Sequence, residues 1–288
     1  MDVTIKSRTP KPSEPETVVT EPLIAVLGHP IAGNPSQFAL ERAFESLQRD
    51  WRVISFDVEP DDLHVALSGL DVLGINGILL GTELAEHAAR WFNEQTREST
   101  SAKQTAEQQV SQSTRIDCFY RAVQETNVAT LLATDAQSDW LAEQIEAYFD
   151  EHDSGIPPQV CLIGETTLHI GKWMSEKRSD VKIVQLRDES EQFCADSIAG
   201  SSVFLIGNQK PDANLLDWDD WLVSPESSLV FDFTDGYDTL DRLLESGRNV
   251  VTSQQCYAGV LSKCINQWLG ECPPIEVIQD AMEEYMAV

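Results

Sequence analysis

The sequence predicts an α/β protein of two domains, the second a doubly wound parallel sheet. Three observations carry that reading. Short apolar runs of strand length alternate with stretches whose apolar residues recur at helical spacing. A break at Gly155-Ile-Pro-Pro158 divides the 288 residues into two parts of ordinary domain size. Hydrophobic residues make up 42% of the chain, enough for sizeable cores.

Residues 1–21 are rich in Pro, Thr, Glu and Ser and read as a disordered tail. The apolar run from Leu23 to Leu27 is a buried strand, broken by Gly28 and Pro30, with Asn34 and Ser36 just beyond its end. Ligands bind at that end of strands in open α/β sheets. Phe38, Ala39, Ala43, Phe44 and Leu47 recur as a helix, and residues 51–57 form a second strand. Pro60-Asp-Asp62 opens a helix through Leu63, Leu67 and Leu70, its acids suiting the dipole. Residues 74–80 are a third strand, and 84–92 a helix.

Residues 94–115 hold almost no apolar anchors and read as a polar insert or mobile loop. Residues 118–123 and 128–135 resume the apolar pattern, and a long helix follows from about Asp139 to Glu151. In the second half, residues 160–164, 181–186, 203–206, 229–233 and 249–251 read as strands. Their alternation with helices means a parallel sheet covered on both faces. Residues 260–269 and 275–286 are helical.

The net charge of −28 argues against nucleic acid and against an anionic membrane, which both need a basic face. Residues 211–245 hold ten Asp and Glu against the single base Arg242. They read as a solvated acidic surface, with a basic protein partner as the alternative. The six cysteines include no C-x-x-C pair and read as reduced, mostly buried thiols. No apolar segment follows Lys6, Arg8 and Lys11 as a signal peptide requires, so the expected setting is cytoplasmic. The histidines show no metal-ligand spacing, and no metal is expected.

The opening stretch Leu23-Ile-Ala-Val-Leu-Gly-His-Pro-Ile-Ala-Gly-Asn-Pro-Ser36 resembles the start of shikimate dehydrogenases, which run G-x-P-I-x-x-S-x-S-P there. Phe44, Trp51, Phe56-Asp-Val-Glu-Pro60, Ala133-Thr-Asp135 and Trp268-Leu-Gly270 extend the resemblance over roughly residues 22–286. It implies an N-terminal α/β substrate-binding domain over 22–134 plus about 263–288, carrying the 94–115 insert. A Rossmann-like, doubly wound, dinucleotide-binding-type domain over 135–262 follows. Family members reduce 3-dehydroshikimate with NADPH, with a Lys and an Asp flanking the substrate hydroxyl.

The resemblance places the family's lysine at Ala85, and no Lys occurs between Lys11 and Lys103. A positioned acid/base group typically contributes about 10²–10⁴ in rate, so the loss is large. Asp135 aligns with the catalytic acid and Thr134 with its substrate-binding neighbour; an Asp before a helix is equally a cap. The two serines at the substrate carboxylate fall on Asn34 and Ser36, a spacing that also suits a polar turn. The family's substrate-touching glutamine falls on Val260, with Tyr257 nearby. If a small hydroxy acid binds, Ser36 and Asp135 should face one concave space, with Ala85 and Val260 as apolar walls.

For the cofactor, the resemblance points to Gly164, Thr166, Thr167 and Arg187. The family's glycine-rich turn is here Gly164-Glu-Thr-Thr-Leu-His-Ile-Gly171, with no G-x-G-x-x-G frame. Glu165 puts a carboxylate where phosphates would sit, at about 4 kcal/mol per unit pair at 4 Å in an effective ε near 20. NADP binding is therefore expected to be weak. The expected protein is shikimate dehydrogenase-like with impaired or lost dehydrogenase activity, binding a small hydroxy acid or a protein partner. The alternatives are an active NADP-dependent shikimate dehydrogenase with a rearranged site, or another reaction using Asp135 as acid/base.

Overall fold

The computed structural model describes residues 21–100, 114–123, 129–152, 158–163, 174, 178–186, 200–207, 224–233 and 240–287. The expected tail falls outside the described residues except for Glu21.

In the first sheet, β1 (Leu23–Gly28) lies between β2 (Arg52–Asp57) and β3 (Gly77–Leu80), parallel to both. Then β4 (Cys118–Val123) and β5 (Ala129–Thr134) continue it antiparallel, in the order β2-β1-β3-β4-β5. The central β1 reads as an unbroken apolar run because both of its faces are covered. Its side chains alternate between two cores. Ile24 and Val26 join one with α1 (Ser36–Ser46), and Ala25 and Leu27 join another with α2 (Leu63–Val72) and α3 (Ala85–Thr100).

The second sheet is wholly parallel: β6 (Gln159–Ile163), β7 (Lys182–Leu186), β8 (Val203–Ile206), β9 (Leu229–Asp232) and β10 (Asn249–Val251). The order β10-β9-β8-β6-β7 puts the reversal of strand order between β6 and β8, the switch point at which doubly wound sheets bind ligands. The short α5 (Leu240–Glu245) packs Leu243 on the face formed by Cys161, Ile163, Phe204, Ile206 and Val230.

The two sheets share a core through α4 (Ala136–Glu151) and α6 (Ser253–Leu269), with α7 (Ile275–Met286) packed on α1. Trp140, Leu141 and Ile145 of α4 and Leu261, Cys264 and Ile265 of α6 meet Leu79 and Cys118 of one sheet and Leu162, Leu205 and Phe231 of the other. A Thr252–Gln255 capping box starts α6, and Gly270, at φ 70°, ends it in the left-handed conformation. Near that end Trp268 Nε1 donates to the Phe119 carbonyl at 2.9 Å, tying α6 to β4.

Several boundaries move from the sequence reading. α4 begins at Ala136 rather than near Asp139, because Asp135 itself caps it. α3 runs on to Thr100, into the stretch read as an insert; with Trp91 and Phe92 packed on the core, its later polar residues continue a helix. At the far end of that stretch Arg115 is buried, the opposite of a polar loop. α6 starts at Ser253 and passes unbroken through the proposed division at 262/263. Among the described residues no helix is long and apolar enough to cross a membrane. Of the described cysteines, Cys118, Cys161, Cys256 and Cys264 are buried free thiols and Cys272 is exposed.

α4 and α6 approach closely where Gly259 faces Trp140: an added Cβ would collide with the indole. Trp140 cannot retreat easily, since its ring stands edge-on to Phe231 with centroids 5.7 Å apart. Overpacking typically costs about 1–3 kcal/mol, more than the ~1 kcal/mol that Ala gains over Gly in a helix. Gly259→Ala should therefore lower the urea midpoint; an unchanged or raised midpoint would show that the helices can separate freely.

Candidate functional site

The site forms where β3, β4 and β5 meet the start of α4. Antiparallel pairing sets Cys118 opposite Thr134, so the preceding Asp117 lies beside Asp135. The backbone continues the ladder there: Leu80 N donates to the Asp117 carbonyl at 2.8 Å, and Asp117 N to that of Thr134 at 3.3 Å. The first backbone N–H groups of α4 have no partners within the helix. Two carboxylates accept from them. Asp117 Oδ1 takes Ala136 N at 2.7 Å and Asp117 Oδ2 takes Gln137 N at 3.1 Å. Asp135 Oδ1 takes Ser138 N at 3.1 Å, and its Oδ2 accepts from the Ser138 hydroxyl at 2.6 Å. Negative charge at a helix start also gains from the dipole.

Two carboxylates side by side need a cation, and Arg115 supplies it. Its Nη1 donates to Asp117 Oδ2 at 2.6 Å and to Asp135 Oδ1 at 2.8 Å. The three side chains are only 8%, 2% and 12% exposed, for Arg115, Asp117 and Asp135 in turn. Burial pulls the Arg115 pKa down, but the two carboxylates outweigh it and the value rises. For Asp117 burial dominates and pushes the carboxyl above its ordinary 3.8, against the pull of Arg115.

A cleft of about 370 Å³ opens against this group. Thr82, Arg115, Asp117 and Gln137 line it from the first half of the chain. Phe233, Ser253, Tyr257 and Val260 line it from the second. Val260 is thus an apolar wall, as the sequence led us to expect. Ala85 is fully buried and lies outside the lining. Ser36 is fully buried as well, with its hydroxyl bonded to the Tyr257 hydroxyl and donating to Asn34 Oδ1. Its backbone N–H also donates to Asn34 Oδ1, at 2.8 Å.

The expected meeting of Ser36 and Asp135 across one space is not found, since neither lines the cleft. Tyr257 stands between Ser36 and the cleft, and Asp135 is held behind Arg115. Thr134 is further removed, donating its hydroxyl to Asp139 Oδ2 at 2.7 Å in the first turn of α4. Gly164, Thr166, Thr167 and Arg187 lie outside the described residues. Among the described residues no group of three or more His, Cys, Asp and Glu is arranged to hold a metal ion.

Sequence reasoning missed Arg115 and Asp117. Arg115 closes a polar stretch and Asp117 opens a strand, so neither stood out. The available signal was Arg-x-Asp directly before one strand and Asp135 directly after the next, which become neighbours once the strands pair antiparallel.

No protein-family model matches the chain. In sequence it is similar to the shikimate dehydrogenase (NADP(+)) of Methanothermobacter thermautotrophicus, 38% identical over 53 residues, 18% of this chain and 19% of that protein. The similarity to the Methanococcoides burtonii protein of the same name is 37% over 71 residues, 25% of this chain and 26% of that one. The matched stretches thus span only about a fifth to a quarter of these relatives. In structure the likeness is nearly whole-length. Thermus thermophilus shikimate 5-dehydrogenase in complex with shikimate gives a TM-score of 0.63 at 16% identity, covering 93% of this chain and 100% of that one. Mycobacterium tuberculosis shikimate dehydrogenase gives 0.64 at 16%, covering 91% and 99%. A 5-ketofructose reductase from Gluconobacter gives 0.61 at 12%, covering 92% and 99%.

Arg115 is the group whose removal should cost most. Truncating one partner of a buried ionic cluster typically costs about 3–5 kcal/mol, because charge is left uncompensated. Arg115→Met should lower stability on that scale in urea, and a loss under 1 kcal/mol would mean that water reaches the carboxylates. Asp117 should also make stability pH-dependent. A carboxyl whose folded pKa is raised binds its proton more readily when folded, so stability rises as pH falls through the folded value. The gain ends below about 3.8, where the unfolded chain protonates too. Between pH 7 and 4 the wild type should gain stability relative to Asp117→Asn; the opposite trend would mean that Arg115 outweighs burial at this carboxyl.

Proposed function

We propose that this chain, shikimate dehydrogenase-like in fold, is a small-molecule-binding protein whose dehydrogenase activity is lost or strongly impaired. The observation that carries the reading is the use made of Asp135. Both of its oxygens accept hydrogen bonds within the chain, from Arg115, Ser138 N and the Ser138 hydroxyl. A general base must reach the proton it takes, and a carboxylate so engaged is a cap and ion-pair member. The position where family members carry lysine is Ala85, fully buried, and it offers no proton.

The nicotinamide cofactor of the family does not fit the donor set this chain offers. In sequence the stretch after residue 163 runs Gly164-Glu-Thr-Thr167, and the resemblance sets Glu165 where the family's glycine-rich turn meets the phosphates. Backbone approach needs the glycines, and the carboxylate opposes the charge. The parallel sheet and its switch point remain as a scaffold. Scaffolds outlive sites, so the fold alone does not carry the activity over.

One observation favours a second reading, a retained reductase with a rebuilt centre. Arg115 lines the cleft as a buried cation beside Asp117, whose carboxyl is displaced toward its protonated form. A cation can hold developing alkoxide charge, and a protonated acid can deliver a proton. In this reading Arg115 and Asp117 do what the missing lysine did, and Asp135 positions Arg115.

The purified protein should show no oxidation of shikimate or quinate with NADP⁺ or NAD⁺ above background, followed by absorbance of the reduced nicotinamide. Turnover abolished by Asp117→Asn or Asp135→Asn would favour the second reading. NADP⁺ should leave the melting temperature unchanged, since a ligand stabilises by about 2.7 kcal/mol only at a hundred times its Kd. The combined change Glu165→Ala, Thr166→Gly and Thr167→Gly should improve NADP⁺ affinity measured by calorimetry. Tight binding to the unmodified chain would remove the charge argument.

A further inference from the structure

We infer that the cleft is built for an uncharged, polyhydroxylated small molecule rather than for a carboxylate; this rests on the small-ligand reading above and names the ligand class.

The first ground is the charge at the cleft wall. Among the described residues Arg115 is the cation lining it, and its Nη1 already donates to Asp117 and Asp135. One positive charge faces two carboxyl groups. With both ionised the cluster carries a net negative charge, and with Asp117 protonated it is neutral. In neither state is positive charge left for a ligand carboxylate. The start of α6 at Ser253 offers roughly half a positive charge, which does not reverse this balance. An added anion beside an unbalanced carboxylate is repelled, the more so where water is excluded.

The second ground is the Asn34 corner. Ser36 spends both of its donors, backbone N–H and hydroxyl, on Asn34 Oδ1. The Tyr257 hydroxyl, at the cleft, is bonded to Ser36 Oγ and to the Asn34 side chain, so this corner is a neutral network satisfied within the chain. Glu83 adds negative charge near Tyr257, and its Oε1 accepts from His29 N at 2.7 Å.

Among the described residues the remaining polar lining is Thr82, Gln137 and Ser253, hydroxyl and amide groups that can both donate and accept. Leu79, Phe233 and Val260 supply apolar surface for the C–H face of a ring. A cleft of about 370 Å³ sits at the small end of ligand sites. Such a wall suits a ring carrying several hydroxyls and no charge.

The test compares two probes of one shape, shikimate and its primary carboxamide, by calorimetry on the full chain at low salt. The carboxamide should bind at least tenfold more tightly. The ratio should narrow in Glu83→Gln, an exposed position that leaves the core intact, and in 0.5 M salt. Shikimate binding as tightly as the carboxamide, or more tightly, overturns the inference and leaves the small-ligand reading standing. Binding of neither probe removes both together. A ratio unmoved by Glu83→Gln and by salt would also overturn the inference, because the discrimination would then not be electrostatic.

Discussion

The Arg115–Asp117–Asp135 cluster is the constraint on which the site depends. The start of a helix that must be buried against two sheets leaves backbone N–H groups without partners, and water is excluded from supplying them. Asp117 and Asp135 meet that need at Ala136, Gln137 and Ser138, and two adjacent carboxylates in turn require Arg115. The requirement reaches further. Asp117 sits in the ladder between β3 and β5, so the same cluster sets how α4 leaves the first sheet and enters the core shared with α6. The floor of the cleft is a structural joint.

That dual position gives Asp135 a structural role independent of any reaction, which the Ala85 position lacks. A lysine at the Ala85 position would be a long charged side chain among the fully buried residues Leu84, Ala88 and Ala89, and outside catalysis it has nothing to stabilise there. Asp135 holds a helix start whatever the cleft does. Ser36 has a structural part of the same kind, its hydroxyl bonded within the chain to Asn34 and Tyr257.

The fold was legible where apolar pattern and punctuation agree. The run from Leu23 to Leu27 flanked by Gly28 and Pro30 could be little other than a covered central strand, and the five short runs after residue 158 form the parallel sheet they suggest. Pattern failed where tertiary context chose. Residues 94–100 carry too few apolar side chains to declare a helix, yet they continue one already anchored by Trp91 and Phe92. The start of α4 was set late, near Asp139, although Asp135 could be read as a cap: the buried first turn at Ala136 and Ser138 lacks large apolar side chains to mark it. Of the cleft, Val260 was legible as a wall, while Asn34 and Ser36, read as ligand-facing, lie outside the lining, and Arg115, Asp117 and the bond of Tyr257 to Ser36 were illegible. Those three depend on antiparallel pairing and on the packing of α6 against α1, contacts between residues far apart in the chain.

A cleft can change what it binds without changing shape, by changing the balance of its charges. Here a doubly paired arginine makes a cation part of a neutral or negative wall. That pairing leaves the apolar packing of Leu79, Phe233 and Val260 around it in place. This is why a backbone nearly coextensive with shikimate 5-dehydrogenase says so little about the ligand. Backbone likeness reports on burial and pairing, which many side chains satisfy. Ligand class is set by a few charges and how they are paired.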